Sequence, residues 1–267
     1  MSLALIGGTG LRSLAALEAA TAESIVTRFG AATIMRGRLA GHDLVFLCRH
    51  GEQGATPPHR INYRANLAAL VHAGVHAVIA TTAVGGLTDA IPPGHFALAD
   101  QFLDFTRSRT TTFFDESPAG PVHIDVSAPF CPRLRALLQA GALQYEIPLV
   151  ETATYACAEG PRFETPAEIR MMKQLGADVV GMTLVPEVVL AREAGLCYAN
   201  LSIVTNWAAG LGSAPLTHHE VTALMHQRQA TLLQLLTECV ARYEPSECAC
   251  AQSLAGYDFT FVEFLRA

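Results

Sequence analysis

Ala158-Glu159-Gly160-Pro161-Arg162-Phe163 and Gly181-Met182-Thr183-Leu184-Val185-Pro186-Glu187 are the two stretches from which the fold of this chain is read. A Gly–Pro pair marks a sharp turn, and Gly160 followed by Pro161 and Arg162 continues neither a strand nor a helix. The region from Glu151 to Asn206 therefore interrupts its own apolar runs with polar and turn-forming residues, which points to a site. A helix start follows each interruption. Thr165 stands at an N-cap position, Pro166 at the first helical position and Glu168 two residues on, the pattern of a capping box. That helix runs through Met171 and Leu175 and stops at Gly176. Asp178 to Met182 reads as a short strand, and Thr183 with Pro186 opens a second helix that ends at Gly195. Leu196 to Val204 is an apolar run long enough for a buried strand, and it delivers Thr205, Asn206 and Trp207. Strand, loop, helix, strand predicts an α/β sheet that carries its functional loops at strand ends.

The 267 residues contain no Gly/Ser-rich or Pro-rich linker and no block of like charge, which favours one domain. Hydrophobic residues make up 51% and charged residues 16%, a low charged fraction that implies surface buried between subunits. A net charge of −6 and a pI near 5.9 argue against a nucleic-acid partner, which needs clustered basic side chains. Met1 to Gly10 lack the basic and long apolar segments of a signal peptide, and no apolar run reaches membrane-spanning length, so no membrane partner is expected. Seven cysteines, an odd number without framework spacing, fit a reducing cytoplasm.

Leu3 to Ile6 reads as a strand running into Gly7-Gly8-Thr9-Gly10, whose backbone amides and threonine hydroxyl suit an anion, although the spacing is that of neither a dinucleotide fingerprint nor a P-loop. Leu44 to Cys48 is a second strand and delivers Arg49-His50-Gly51, either a bidentate phosphate clamp or a surface ion pair. A helix is expected from Tyr63 to Ala73. Val75 to Ala80 reads as a buried parallel strand releasing Thr81-Thr82-Ala83-Val84-Gly85-Gly86 as a loop whose small residues let a ligand approach. Phe96 to Asp104 is a further strand, Thr106 to Phe114 a polar loop, His123 a loop residue, and Pro132 to Ala140 a helix. The last helix begins at Thr217-His218-His219-Glu220, a second capping box. Cys248 and Cys250 lie beyond it; two thiols make no zinc site, and no metal is expected.

In order and spacing, the glycine turn, Arg49-His50-Gly51, Asn62-Tyr63, Thr81-Thr82-Ala83, Asp100-Gln101-Phe102, Glu159 to Phe163 and Met182 to Glu187 resemble the trimeric purine nucleoside phosphorylases, including the methylthioadenosine and methylthioinosine phosphorylases. The resemblance covers roughly Leu3 to Tyr243, which gives a nucleoside phosphorylase domain at 1–245 and a tail at 246–267. It implies a single-domain, three-layer α/β fold with a central mixed sheet flanked by helices. It also implies phosphate attack on the anomeric carbon of a purine nucleoside, with inorganic phosphate as co-substrate, no further cofactor, and a homotrimer. No protein nucleophile is then required; the protein binds an anion, orients two ligands and stabilises charge on the departing base.

Residue by residue, the resemblance puts Thr9, Arg49, His50, Thr82, Ala83 and Thr183 around phosphate, with Arg49, His50 and Asn206 as the catalytic set. Phe163 packs on the base, Met182 lies behind the sugar, Thr205 and Asn206 face the purine edge, and Ala83, Gly85, Glu164 and Ala208 complete the substrate surface. His123 is lent to a neighbouring subunit and His218 meets the 5′ substituent. Methylthioadenosine phosphorylases carry two aspartates where this chain has Asn206 and Ala208, and a small hydroxyl residue where it has Glu164. Asparagine donates to O6 or N7 and accepts from N1–H, which points to 6-oxopurines. The rival readings are a methylthioadenosine phosphorylase, a non-catalytic purine sensor and a water-using hydrolase; the intact anion-binding residues argue against the last two.

Overall fold

The computed structural model describes residues 2–11, 14–51, 53–116, 120–212 and 216–266, without the side chains of His218 and Arg266. The strands are β1 (Ser2–Gly7), β2 (Glu18–Thr27), β3 (Gly30–Leu39), β4 (His42–Cys48), β5 (Val75–Gly86), β6 (Phe96–Phe105), β7 (Leu149–Ala158), β8 (Val179–Gly181) and β9 (Cys197–Trp207). They form one mixed sheet in the order β2-β3-β4-β1-β5-β8-β7-β6-β9, and β9 also pairs with β5. β5, β8, β7, β6 and β9 thus close into a ring, while β2, β3 and β4 form an antiparallel wing. β1 runs parallel to both β4 and β5.

The helices are α1 (Tyr63–His72), α2 (Pro132–Gln144), α3 (Pro166–Gln174), α4 (Leu184–Glu193), α5 (His218–Arg242) and α6 (Phe261–Arg266). Strand periodicity distributes them. Ala4 and Ile6 of β1 face a core with Leu67 and Leu70 of α1, Val188 and Leu190 of α4, and Phe261 and Phe264 of α6. Leu3 and Leu5, on the opposite face of the same strand, pack with Leu134 and Leu138 of α2 and Leu232 and Leu236 of α5. Sheet between two helical layers is the expected α/β arrangement. The cap at Thr165 forms in both directions, and Asn62 caps α1 by accepting from the Ala65 amide at 3.0 Å. Thr217 accepts from the Glu220 amide at 3.3 Å.

Two expectations change, and one element was not anticipated. Thr81 to Gly86 is no loop: β5 continues through it, because Thr81 pairs with Leu201, Thr82 with Ser202 and Gly85 with both Asn206 and Val180. Partner strands supply that pairing, which local composition does not announce. The β2–β3 hairpin escaped the sequence reading because β2 is exposed along nearly all its length and shows no apolar alternation. Finally α5 is followed by α6, and the segment after 245 is docked: Cys250, Leu254, Phe261, Phe264 and Leu265 are all buried in the two cores.

Candidate active site

The ends of β1 and β4, the middle of β5, the start of α4, the end of β9 and the loop before α3 converge on one cavity of about 350 Å³. Thr9, Arg49, His50, Thr82, Ala83 and Thr183 line it together. So do Gly85, Phe163, Glu164, Met182, Thr205, Asn206 and Ala208. Two expected residues stand apart: His123 is exposed on a loop and does not line its own chain's cavity, and the His218 side chain lies outside the described residues. Leu216 and Val221, flanking that position, do line it.

Register along β5 and β9 orders the cavity. Thr82 lies opposite Ser202 and Gly85 opposite Asn206, so the two groups of residues are separated by roughly 10 Å of strand. At the first end, Gly8 has a steric reason: a Cβ there would sit 2.7 Å from Arg49 Nη1 and 3.0 Å from the Thr81 carbonyl oxygen. The bare backbone lets the guanidinium approach the turn.

Arg49 is neither an open clamp nor a surface ion pair. Its Nε donates to Glu187 Oε2 at 2.6 Å, Nη2 to Glu187 Oε1 at 2.8 Å, and Nη1 to the Thr81 carbonyl at 2.8 Å. Both side chains of the pair are completely buried, and the Tyr198 hydroxyl donates to Glu187 Oε1 at 2.8 Å. Burial works against the Arg49 charge, but the Glu187 carboxylate outweighs it and holds the guanidinium above its ordinary pKa. The bidentate partner is therefore an internal carboxylate. Of the five guanidinium hydrogens, one on Nη1 and one on Nη2 are left over for the cavity.

The hydroxyls beside Arg49 are set by similar bonds. Asn200 Nδ2 donates to Thr82 Oγ1 at 3.3 Å, Ser202 donates to Asn200 Oδ1 at 2.8 Å, and the Thr82 and Ser202 hydroxyl oxygens lie 3.0 Å apart, so partners inside the protein orient the Thr82 hydroxyl. Thr183 stands at the N-cap of α4 yet makes no capping bond with its side chain. His50 Nδ1 donates to the Thr56 carbonyl at 2.8 Å, which fixes the proton on that nitrogen.

At the second end, Asn206 is partly committed. The single Thr205 hydroxyl hydrogen is within reach of Asn206 Oδ1 at 2.8 Å and of the Val84 carbonyl at 3.2 Å, and Asn206 Nδ2 donates to the Trp207 carbonyl at 2.8 Å. One amide hydrogen remains, so the donor role fits while the expected acceptor role is already shared with Thr205. Glu164 is 9% exposed, its Oε1 is buried without a hydrogen-bond partner, and burial raises its pKa. Glu164 thus adds an unpartnered acceptor oxygen to the lining that Asn206 shares.

Glu187, Asn200 and Arg109 were missed as site residues. Arg109 donates to the carbonyls of Val185 and Glu159 at 2.6 Å each and so ties the 158–161 turn to the start of α4. It sits in an aperiodic polar loop, where no local pattern distinguishes a brace from a solvated charge. Glu187 lay inside the quoted motif, but nothing local to it shows that its partner is Arg49, 138 positions away.

Residues 2–241 match the family described as the phosphorylase superfamily. A relative from Moorella thermoacetica, named "Probable 6-oxopurine nucleoside phosphorylase", is 46% identical over 96% of this chain and 98% of its own length. One from Methanosarcina acetivorans, named "Probable S-methyl-5'-thioinosine phosphorylase", is 45% identical over 93% of each chain. Among solved structures, the methylthioadenosine phosphorylase of Schistosoma mansoni in complex with adenine superposes with a TM-score of 0.86 at 33% identity, covering 90% of this chain and 91% of that one. The match runs from the first strand to the last turn of α5, through every element that builds the cavity, and the chain accordingly belongs to the phosphorylase superfamily.

Proposed function

We propose that the chain catalyses phosphorolysis of purine nucleosides, with 6-oxopurines preferred, releasing the free base and ribose 1-phosphate or its 5-methylthio analogue. The observation that carries this reading is the polarity of the cavity, with the Arg49 guanidinium and the Thr82 and Thr183 hydroxyls in its lining, Asn206 opposite Gly85 farther along β5, and the unpartnered Glu164 oxygen in the same lining. Arg49, Thr82, Thr183, His50 and the Gly8–Thr9 turn hold phosphate against the anomeric carbon. A phosphate oxygen forms the new C–O bond as the C–N bond breaks, and the electron pair of that bond goes to the purine. The remaining Asn206 N–H donates to N7 and strengthens as negative charge collects there.

Base choice follows from what is unpaired. A buried carboxylate oxygen without a partner is satisfied by a donor, and Glu164 Oε1 is such an oxygen. A 6-oxopurine brings N1–H, whereas the N1 of a 6-aminopurine brings a lone pair. A methylthioadenosine phosphorylase is the alternative kept in view. Leu216 and Val221 give the cavity an apolar flank near α5 that suits a 5′-methylthio group, so methylthio and ordinary nucleosides are both expected as substrates. Seven free cysteines support a reducing compartment such as the cytoplasm.

The test compares base release from inosine, methylthioinosine, adenosine and methylthioadenosine, with and without phosphate. Release is expected only with phosphate, and Arg49→Ala is expected to lower it at least 10- to 100-fold, the loss of a charge-assisted contact of about 1.5–3 kcal/mol. Undiminished release in phosphate-free buffer sinks the phosphorolytic reading. A kcat/KM ratio below one for methylthioinosine over methylthioadenosine overturns the base assignment, and Asn206→Asp is expected to shift that ratio toward the amino base.

A further inference from the structure

Cys131, Cys197, Cys248 and Cys250 bring their sulfurs within 4.8 Å of one another, on the α2–α5 side of the sheet and outside the cavity lining. They arrive from separate parts of the fold. Cys131 is the N-cap of α2, Cys197 opens β9, and beyond α5 Cys248 is the N-cap of a 3-10 turn at Ala249–Gln252 that contains Cys250. The Cys131–Cys248 sulfurs are 3.8 Å apart and the Cys248–Cys250 sulfurs 3.5 Å. A tetrahedral ion with zinc–sulfur bonds of about 2.3 Å requires sulfur–sulfur separations of about 3.8 Å. A disulfide requires about 2.05 Å, and all four cysteines are free thiols.

We propose that these four cysteines form a tetrathiolate site for one structural zinc ion. A tetrahedral all-sulfur set selects a soft or borderline divalent ion over magnesium or calcium. Four protein ligands close the coordination sphere, so the ion is structural and offers no position to substrate. Binding is coordination without redox chemistry: the thiols give up their protons to solvent as zinc–sulfur bonds form.

The surroundings hold the ligands in place by bonds that do not depend on the ion. The Cys131 amide donates to the Tyr198 carbonyl at 2.8 Å, which sets Cys131 beside Cys197. Arg133, two residues into α2, donates from Nη1 to the Ser246 carbonyl and from Nη2 to the Glu244 carbonyl, each at 3.0 Å. These bonds pin the approach to Cys248. The Ala251 amide donates to the Cys248 carbonyl at 3.0 Å, and the turn lies against Gly195, where a Cβ would be in van der Waals contact with Ala251 Cα at 3.4 Å. Two thiols in Cys-x-Cys are two ligands short of a site; the fold provides the others from 51 and 117 positions away in the chain, Cys197 and Cys131 respectively, counted back from Cys248.

The segment so clasped lies past residue 241, where the family match ends. It carries Leu254, Phe261, Phe264 and Leu265 into the core on the far face of the sheet, and the His123 amide donates to Tyr257 Oη at 2.6 Å. Zinc at this point fastens the C-terminal segment, and with it the loop of His123, to β9 and α2.

The test uses the full chain purified under reducing conditions from zinc-supplemented culture. Elemental analysis is expected to give one zinc per chain. Cobalt(II) added to the chelator-stripped protein is expected to give thiolate-to-cobalt charge transfer and tetrahedral ligand-field bands, both lost in Cys248→Ser/Cys250→Ser. Chelation is expected to lower Tm of the wild type and leave Tm of the double variant unchanged. The proposal is overturned if the wild type holds no zinc and takes up no cobalt with its thiols reduced, if the isolated protein carries these cysteines as disulfides without metal, or if metal uptake survives the double substitution. Should the double variant fail to fold, the wild-type zinc content and cobalt spectrum decide by themselves.

Discussion

Glu187 is completely buried and accepts two hydrogen bonds from Arg49 and one from Tyr198, so truncating it strands a guanidinium with no counter-charge. Breaking a buried pair from one side costs about 3–5 kcal/mol. Glu187→Ala is expected to lose that much unfolding free energy in urea and nearly all activity, while Glu187→Gln, which keeps one acceptor, loses less of both. Equal stability of Glu187→Ala and wild type would contradict the pairing. Glu193 is a carboxylate of another kind. Burial raises its pKa from the ordinary 4.5 to about 7, although the Thr112 hydroxyl and the Phe113 amide donate to it at 2.6 and 2.7 Å. A carboxyl whose folded pKa is raised contributes stability that is present below pH 4.5 and lost as pH rises through about 7. Glu193→Gln stays neutral. It is expected to match wild type near pH 4 and to gain about 1–3 kcal/mol over it by pH 8, read as a diverging pair of urea midpoints.

At the scale of elements, α3 shows how a short helix is held. Nine residues are too few to be stable alone. Thr165 accepts from the Glu168 amide at 3.2 Å, Glu168 accepts from the Thr165 amide at 2.7 Å, and Arg162 donates to both Glu168 oxygens. Arg162 first, and then the Thr165 amide, hold the Glu168 carboxyl down to about 2. This cap therefore stays intact down to acid pH and fails only as pH falls from about 4.5 to about 2. Thr165→Ala is expected to cost about 1 kcal/mol, measured by urea unfolding. Since Phe163 and Glu164 immediately precede the cap, the same variant is expected to raise KM for the nucleoside more than it lowers kcat; an unchanged KM would separate the cap from the site. The cap was legible in the sequence because all its partners lie within six residues. The continuation of β5 through Gly86 was not, since its pairing is decided by β9 more than 100 positions later.

At the scale of the whole molecule, a charged fraction of 16% and an exposed His123 that leaves its own cavity untouched both fit an assembly in which neighbouring chains complete one another's sites. A homotrimer is the expected assembly. Light scattering should return the mass of three chains, and His123→Ala should weaken nucleoside binding while leaving Tm in place. A stable and fully active monomer would rule this out.

Local grammar and chemical inventory can be read along the chain. Caps at Thr165 and Thr217, the turn at Gly160-Pro161 and the buried runs of β1, β4 and β9 were legible because each is fixed by neighbours a few positions away, whereas the thirteen residues that meet in one cavity were named through the resemblance of their motifs in order and spacing. Tertiary structure alone decided what those residues face. Arg49 meets Glu187 across 138 positions, Glu164 brings an unpartnered acceptor oxygen into the cavity that Asn206 lines, and Cys131 and Cys197 join Cys248 and Cys250. The physical reason is that hydrogen bonding and coordination act over a few ångströms. Which distant segments come that close is set by closure of the sheet and packing of its two helical layers, which no local pattern encodes.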